Sequence, residues 1–243
     1  MANLIEIFSS VQGEGKYVGC RQIFVRFSDC NLRCAYCDTN FKRTDFCSVE
    51  NFAGAMNFYQ IENPVSAEKT AEIIKKFHAE VPTHSVSFTG GEPLLHGNFI
   101  FEVAELLKDS NIKIFLETNG TLHEEFEKIF DSVDIVSMDL KLPSVTGKNF
   151  FPQHEKFLSL AKEKDFYIKI VVSNETTLEE FCAAVDLIFS VAPKSLLILQ
   201  PVTPVGKIKA ANAEKILSLQ KVALKKVEDV RVIPQTHKLI KLL

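Results

Sequence analysis

No stretch of this 243-residue chain stays apolar for the roughly 20 residues that a membrane span requires, so none is expected. Surplus charge is missing too. The 28 Lys and Arg stand against 31 Asp and Glu, a formal net charge of -3, whereas a nucleic-acid surface needs clustered cations to neutralise phosphates. The opening Met1-Ala2-Asn3-Leu4-Ile5-Glu6 lacks the basic segment and apolar stretch of a secretory leader. With that absence, six cysteines point to reduced thiols or metal ligands in the cytoplasm rather than to a disulfide framework. Gly and Pro number only 10 and 9, and no linker, composition shift or short repeat divides the chain. At 46% apolar and 24% charged the composition is that of an ordinary globular domain. A collagen-like rod, a disordered tail and a disulfide miniprotein are excluded. One domain over residues 1–243, with a sizeable core, is the expectation.

What is present is a recurrent strand-helix rhythm. Apolar runs of strand length fall at Gln22–Ser28, His84–Phe88, Ile112–Leu116, Val133–Met138, Phe166–Val172, Ser195–Leu199 and Val230–Ile233. Helical spacing falls between them, at Glu102–Asp109, at Thr177–Val191 with Phe181, Val185 and Ile188 on one face, and at Lys207–Val227. This alternation predicts an α/β fold with a parallel sheet. Six or seven strands fall short of a closed eight-stranded barrel, so the predicted architecture is a single-domain, open (partial) parallel β/α barrel. Each strand runs into an unusual polar segment, among them Thr89-Gly90-Gly91-Glu92-Pro93, Glu117-Thr118-Asn119-Gly120, Asp139-Leu140-Lys141 and Gln200-Pro201-Val202-Thr203. In a parallel barrel these segments share the C-terminal rim, where active sites sit.

The strongest local signal is Cys30-x3-Cys34-x2-Cys37, three thiols within eight residues. Such a loop can aim three sulfurs at one zinc ion or iron–sulfur cluster. Closed sites want four protein ligands, so three imply an open, reactive coordination position. Cys182, on the apolar side of a helical pattern, reads as core packing. Cys20 and Cys47 read as bystanders, with Cys47 the alternative for a fourth ligand.

With Tyr36 just before the last cysteine, the loop resembles that of the radical S-adenosylmethionine (SAM) superfamily, and Thr89-Gly90-Gly91-Glu92-Pro93 resembles its GGEP segment. The physical sense of the paired glycines is close backbone approach to a ligand. Gln12-Gly13-Glu14-Gly15, Phe24-Val25-Arg26-Phe27, Cys37-Asp38-Thr39 and the ending Arg231-Val232-Ile233-Pro234-Gln235-Thr236-His237-Lys238 are similar to the 7-carboxy-7-deazaguanine synthase family, over essentially the whole chain.

That resemblance implies a lyase that converts 6-carboxy-5,6,7,8-tetrahydropterin to 7-carboxy-7-deazaguanine with loss of ammonia, on the route to queuosine and other 7-deazapurines. It implies a [4Fe-4S] cluster on Cys30, Cys34 and Cys37, and SAM cradled by Tyr36, Cys37, Asp38, Gly91, Asp139, Leu140, Lys141, Gln200, Pro201, Val202 and Thr203. The family's usual Ser-Pro-Lys reads Asp139-Leu140-Lys141 here. The implied pterin-facing set is Val11, Gln12, Gly13, Arg26 and Thr89, with Glu117 and His237 as weaker members, and Thr39 would hold Mg2+. Arg26 suits a carboxylate because its planar fork donates two hydrogen bonds; its bland alternative is a surface ion pair, and that of Thr39 is a helix N-cap. A flavodoxin- or ferredoxin-like electron donor and a homodimer are implied as well. Two alternatives stay open: a glycyl-radical-enzyme activating enzyme, which shares the cysteine spacing, and a non-catalytic metal- or cluster-binding module. Residues 40–65 read as a family-variable insertion.

Overall fold

A computed structural model describes residues 1–37 and 43–242 of the chain. It begins with β1 (Leu4–Val11), β2 (Arg21–Phe27), β3 (Phe46–Glu50) and β4 (Phe58–Glu62). Helices and strands then alternate: α1 (Ala67–Glu80), β5 (Ser85–Gly90), α2 (Gly97–Leu107), β6 (Lys113–Thr118), α3 (His123–Lys128) and β7 (Ile135–Asp139). The second half continues with α4 (Pro143–Thr146), α5 (Phe151–Ala161), β8 (Asp165–Val172), α6 (Leu178–Val191), β9 (Leu196–Pro201), α7 (Ala213–Ala223), β10 (Asp229–Val232) and α8 (Thr236–Leu239).

One sheet holds all ten strands, in the order β10-β9-β8-β7-β6-β5-β2-β1-β3-β4. The seven strands from β2 to β10 that the apolar runs predict are parallel neighbours, which makes the open barrel. Three further strands extend it: β1 antiparallel to β2, β3 parallel to β1, and β4 antiparallel to β3. They lack the apolar signature for identifiable reasons. In β1, Ser9 and Ser10 are buried at the core edge. In β3, Glu50 is buried because its carboxylate accepts the N–H groups of Ser9, Gly54 and Met56. The edge strand β4 is mostly exposed.

The pleat divides every barrel strand by parity. Outward residues such as Ile114, Leu116, Val136, Met138, Ile168, Ile170, Leu197 and Leu199 join the main core under the helices. Inward residues form two tiers. Phe115, Ile135, Tyr167 and Ile198 make a small apolar plug at the lower end, with Tyr17 packed against it. Above it the inward positions turn polar: Glu117, Ser137, Asp139, Lys169 and Gln200.

Helix starts follow their caps. Thr177 and Glu180 form a reciprocal capping box at α6, and Ser66 caps α1. The pattern at Lys207–Val227 is shorter than its spacing predicts, because the Asn212 side chain accepts the Lys215 N–H and begins α7 there. The pattern at Glu102–Asp109 is the latter part of α2, which starts at Gly97. Among the described residues no helix is long and apolar enough to cross a membrane.

Candidate active site

The polar upper tier opens into a cavity of about 580 Å³ at the C-terminal ends of the barrel strands. Cys30, Cys34, Tyr36 and Cys37 line one side of it, on the loop that follows β2. The Arg33 guanidinium ties that loop by donating to the carbonyls of Cys30 (2.9 Å) and Leu32 (2.8 Å). Asn119, at the end of β6, donates to Asn31 at 2.9 Å, and the Leu32 N–H points at the Cys30 sulfur at 3.4 Å. The three sulfurs do not yet meet: among the described residues no three His, Cys, Asp or Glu side chains could hold one metal ion. The donor set still fits a cluster, since the partly buried thiols of one short loop face one cavity. Burial pushes the Cys34 thiol up to about 11 and raises Cys30, with Lys141 opposing both. The thiolate form therefore needs the positive charge that bound iron brings. Cys47 is buried in the main core and Cys20 lies in the turn before β2, so neither lines the cavity. Cys182 is only partly buried on α6.

The glycine pair has a different physical basis from ligand approach alone. A Cβ on Gly91 would stand 1.9 Å from the carbonyl oxygen of Asp29, and one on Gly90, at φ +99°, would stand 2.6 Å from that of Phe27. The cysteine loop docks on this segment, with Gly91 N–H bonded to Phe27 O at 2.9 Å and Glu92 N–H to Asp29 O at 2.6 Å. Glu92 lies beneath, wholly buried. It accepts from Leu94 N–H (3.1 Å), the Thr118 hydroxyl (2.7 Å) and Asn119 N–H (2.8 Å), tying the glycine loop to the end of β6. Burial pushes its carboxyl up to about 7.

A chain of charges crosses the cavity. Lys141 on the β7 loop donates to Asp139 at 2.7 Å and reaches the Tyr36 hydroxyl at 3.4 Å. Burial opposes its ammonium, but Asp139 and Tyr36 lift it well above the usual lysine range. Lys169 on β8 is bonded to Glu14 and lies 3.7 Å from the same Asp139 oxygen. Burial would raise the Glu14 carboxyl; Lys169 and Gln235 instead hold it down at about 2. The other Asp139 oxygen and Gln200 Oε1 are buried without a partner among the described residues, two acceptors open to a bound donor.

Elsewhere along the cavity wall, Gln12 is buried and donates to Glu117 at 2.8 Å, while Ser87 and Thr89 also donate to Glu117, both at 3.1 Å. Arg26 lines the cavity with its guanidinium over the Phe8 ring at 5.2 Å, and one of its nitrogens pairs with Glu6. The C-terminal segment straps this wall. Thr236 bonds Gly13 O through its N–H at 2.9 Å, and Gln235 donates to Glu14 at 2.7 Å. The His237 ring packs where a Gly13 side chain would be.

The structure thus gathers Val11, Gln12, Gly13, Arg26, Tyr36, Cys37, Thr89, Gly91, Glu117, Asp139, Lys141, Gln200, Val202, Thr203 and His237 around one cavity. Leu140 and Pro201 do not line it. Both have the outward parity of their strands, and Leu140 is buried in the main core, so only their main chain can serve a ligand. Asp38 and Thr39 lie outside the described residues. Glu14, Ser137, Asn119, Lys169 and Gln235 line the cavity without having been assigned from sequence. Lys169 had a usable signal: it is the one cation inside the apolar run of β8, two residues from an inward Tyr167.

The sequence profile of the radical SAM superfamily matches residues 24–188. The fold has known counterparts, QueE from Escherichia coli (TM-score 0.63, 20% identity, covering 96% of this chain and 93% of that one) and a domain of pyruvate-formate lyase-activating enzyme from Bacteroides vulgatus (TM-score 0.51, 16% identity, 61% and 98%). The cavity thus sits in a radical SAM enzyme with a partial parallel barrel. The chain is 40% identical to the 7-carboxy-7-deazaguanine synthase of Geobacter sulfurreducens, across 98% of this chain and 96% of that protein. It is 36% identical to that of Methanocaldococcus jannaschii, across 98% and 99%. The chain belongs to the 7-carboxy-7-deazaguanine synthase family.

Proposed function

We propose that this chain, acting as a single radical SAM domain, converts 6-carboxy-5,6,7,8-tetrahydropterin to 7-carboxy-7-deazaguanine with release of ammonia. The observation that carries the reading is one cavity with two chemically distinct walls. A thiol wall carries Cys30, Cys34 and Cys37, and an amide, carboxylate and guanidinium wall carries Gln12, Glu14, Arg26, Glu117 and Gln235. Family relatives named for this activity, nearly full-length, support it.

Cys30, Cys34 and Cys37 would hold a [4Fe-4S] cluster, and Tyr36, Asp38, Gly91, Asp139, Lys141, Gln200, Val202 and Thr203 would surround SAM, with main-chain atoms at Leu140 and Pro201. When bound, the reduced cluster and SAM supply hydrogen-atom abstraction. The chain's own residues bind, orient and shield. Gln12, Thr89 and Glu117 present an amide, a hydroxyl and a carboxylate, complementary to the N–H and carbonyl edge of a pterin. Arg26 keeps a guanidinium beside them for the substrate carboxylate, and its position over the Phe8 ring restrains the planar fork. The strap from Gln235 to His237 lines the cavity and is bonded to Gly13 and Glu14, which holds the loop after β1 in place. Thr39, outside the described residues, would hold Mg2+, an ion that keeps waters and accepts substrate oxygens. A flavodoxin- or ferredoxin-like protein would deliver the electron, and the working unit would be a homodimer.

The test is anaerobic incubation of the iron-reconstituted, reduced protein with the carboxypterin, SAM and Mg2+, followed by mass analysis. The expected product is 7-carboxy-7-deazaguanine. Deoxyadenosine formed without it, with a glycyl radical appearing on a partner protein, would favour an activating enzyme; neither brown colour nor deoxyadenosine would leave a metal-binding module.

A further inference from the structure

Lys169 stands between the two walls. Its ammonium is buried, bonded to Glu14 on the loop after β1, and lies 3.7 Å from Asp139 at the end of β7. Glu14 shares its loop with Gln12 and Gly13 and takes a second bond from Gln235 at 2.7 Å. Asp139 accepts a hydrogen bond from Lys141 at 2.7 Å, and Lys141 reaches Tyr36 on the cysteine loop. Two ammoniums and two carboxylates therefore balance along a line from the C-terminal strap to the cysteine loop. A lone buried ammonium is costly. Burial indeed opposes the charge on Lys169, but Glu14, Asp139 and Glu117 lift it above the usual lysine range. Of this line, Lys169 alone meets both carboxylates, Glu14 and Asp139.

We propose that Lys169 is a positioning residue that sets both ligand walls at once, holding Glu14 against the pterin side and Asp139, with its open oxygen, against the SAM side. The pterin half of this statement rests on the function proposed above; the SAM half rests on the superfamily. Two carboxylates that share one cation keep a fixed spacing, because each must stay within reach of that cation and a cation drawn after one would leave the other short of counter-charge. The consequence is that a residue on β8, assigned to neither ligand by sequence, governs affinity for both.

The test uses the reconstituted protein with its cluster oxidised, so that SAM is bound but not cleaved. Equilibrium dialysis reads the Kd for SAM, and the fluorescence of 6-carboxypterin reads the Kd on the other wall. Lys169→Met should raise both Kd values about tenfold or more, the scale of a lost hydrogen bond to charged Glu14 on one side and of a buried ion pair deprived of a cation at Asp139 on the other, and Lys169→Arg should recover both to within about threefold. Lys169→Met strands a buried carboxylate and can unfold the chain, so the neutral pair Glu14→Gln/Lys169→Met is measured beside Glu14→Gln alone. Glu14→Gln should weaken 6-carboxypterin and leave SAM within about twofold, and adding Lys169→Met should weaken SAM about tenfold further. If the paired variant binds SAM as tightly as Glu14→Gln, Lys169 only neutralises Glu14 and the proposal fails. A wild-type protein that binds SAM but no 6-carboxypterin overturns the substrate assignment, while the SAM arm still decides the role of Lys169 on that wall.

Discussion

Replacing Gly91 with Ala should unseat the cysteine loop, and the size of the effect follows from the geometry. The new methyl would stand 1.9 Å from the Asp29 carbonyl oxygen and 2.5 Å from its carbon, both main-chain atoms that no rotamer change can move aside. The loop must retreat by more than an ångström, which strains the packing by about 1–3 kcal/mol. It also loses the 2.6 Å bond from Glu92 N–H to Asp29 O, a further ~1 kcal/mol. Together roughly 2–4 kcal/mol should lower Tm by about 4–16 °C for a chain of this size. Cys30 follows Asp29 directly, so iron retained after reconstitution should fall as well. Gly97→Ala is the control. At the first position of α2 its Cβ meets nothing closer than 3.7 Å, and alanine there should be neutral or stabilise by up to ~1 kcal/mol. Calorimetry and iron analysis of both variants check this. A Gly91→Ala protein that melts and loads iron like wild type would refute the claim that loop docking, rather than ligand approach, demands glycine.

Other expectations can be checked in the same laboratory. Arg26→Lys keeps the charge but loses the fork, so kcat/KM for the pterin should fall about ten- to a hundredfold with the cluster and pterin-free SAM cleavage intact; unchanged kinetics would leave Arg26 as the partner of Glu6 and nothing more. Cys34→Ala should abolish cluster assembly and deoxyadenosine formation, whereas Cys182→Ala, partly exposed on α6, should retain both; iron loss in the second variant would show that the six cysteines have been sorted wrongly. Burial pushes the Glu92 carboxyl from 4.5 up to about 7. Between those values the folded state binds more protons than the unfolded one, so this group's contribution is fully present below about pH 4.5 and is lost as pH rises through about 7. Urea unfolding at pH 5 and pH 8 should show wild type losing stability relative to Glu92→Gln by a few kcal/mol; parallel pH curves for the two proteins would rule out the raised carboxyl.

Sequence alone determined what depends on near neighbours. The parallel strands announce themselves as apolar runs because all but the edge strand β10 are largely buried on both faces. The loop Cys30–Cys37 carries its chemistry in its spacing, and Thr177 with Glu180 caps α6 across three residues. Pleat parity is local as well: with Asp139 placed inward, Leu140 outward follows from its neighbour, and with Tyr167 placed inward, Lys169 follows two residues on. What needed the tertiary structure is whatever depends on distant chain meeting distant chain. Strand β3 hides because Glu50 is buried in a strand only when the N–H groups of Ser9, Gly54 and Met56 surround its carboxylate, β1 because it buries Ser9 and Ser10, and β4 because it is an exposed edge. Gly91 is required by Asp29, 62 positions away, through a carbonyl no pattern reveals. Glu14 and Lys169 are 155 positions apart and become a pair only once the loop after β1 folds over the barrel and meets β8. Charge pairing has no period to read along the chain. Its partners are chosen by register and loop docking, and these exist only in the folded barrel.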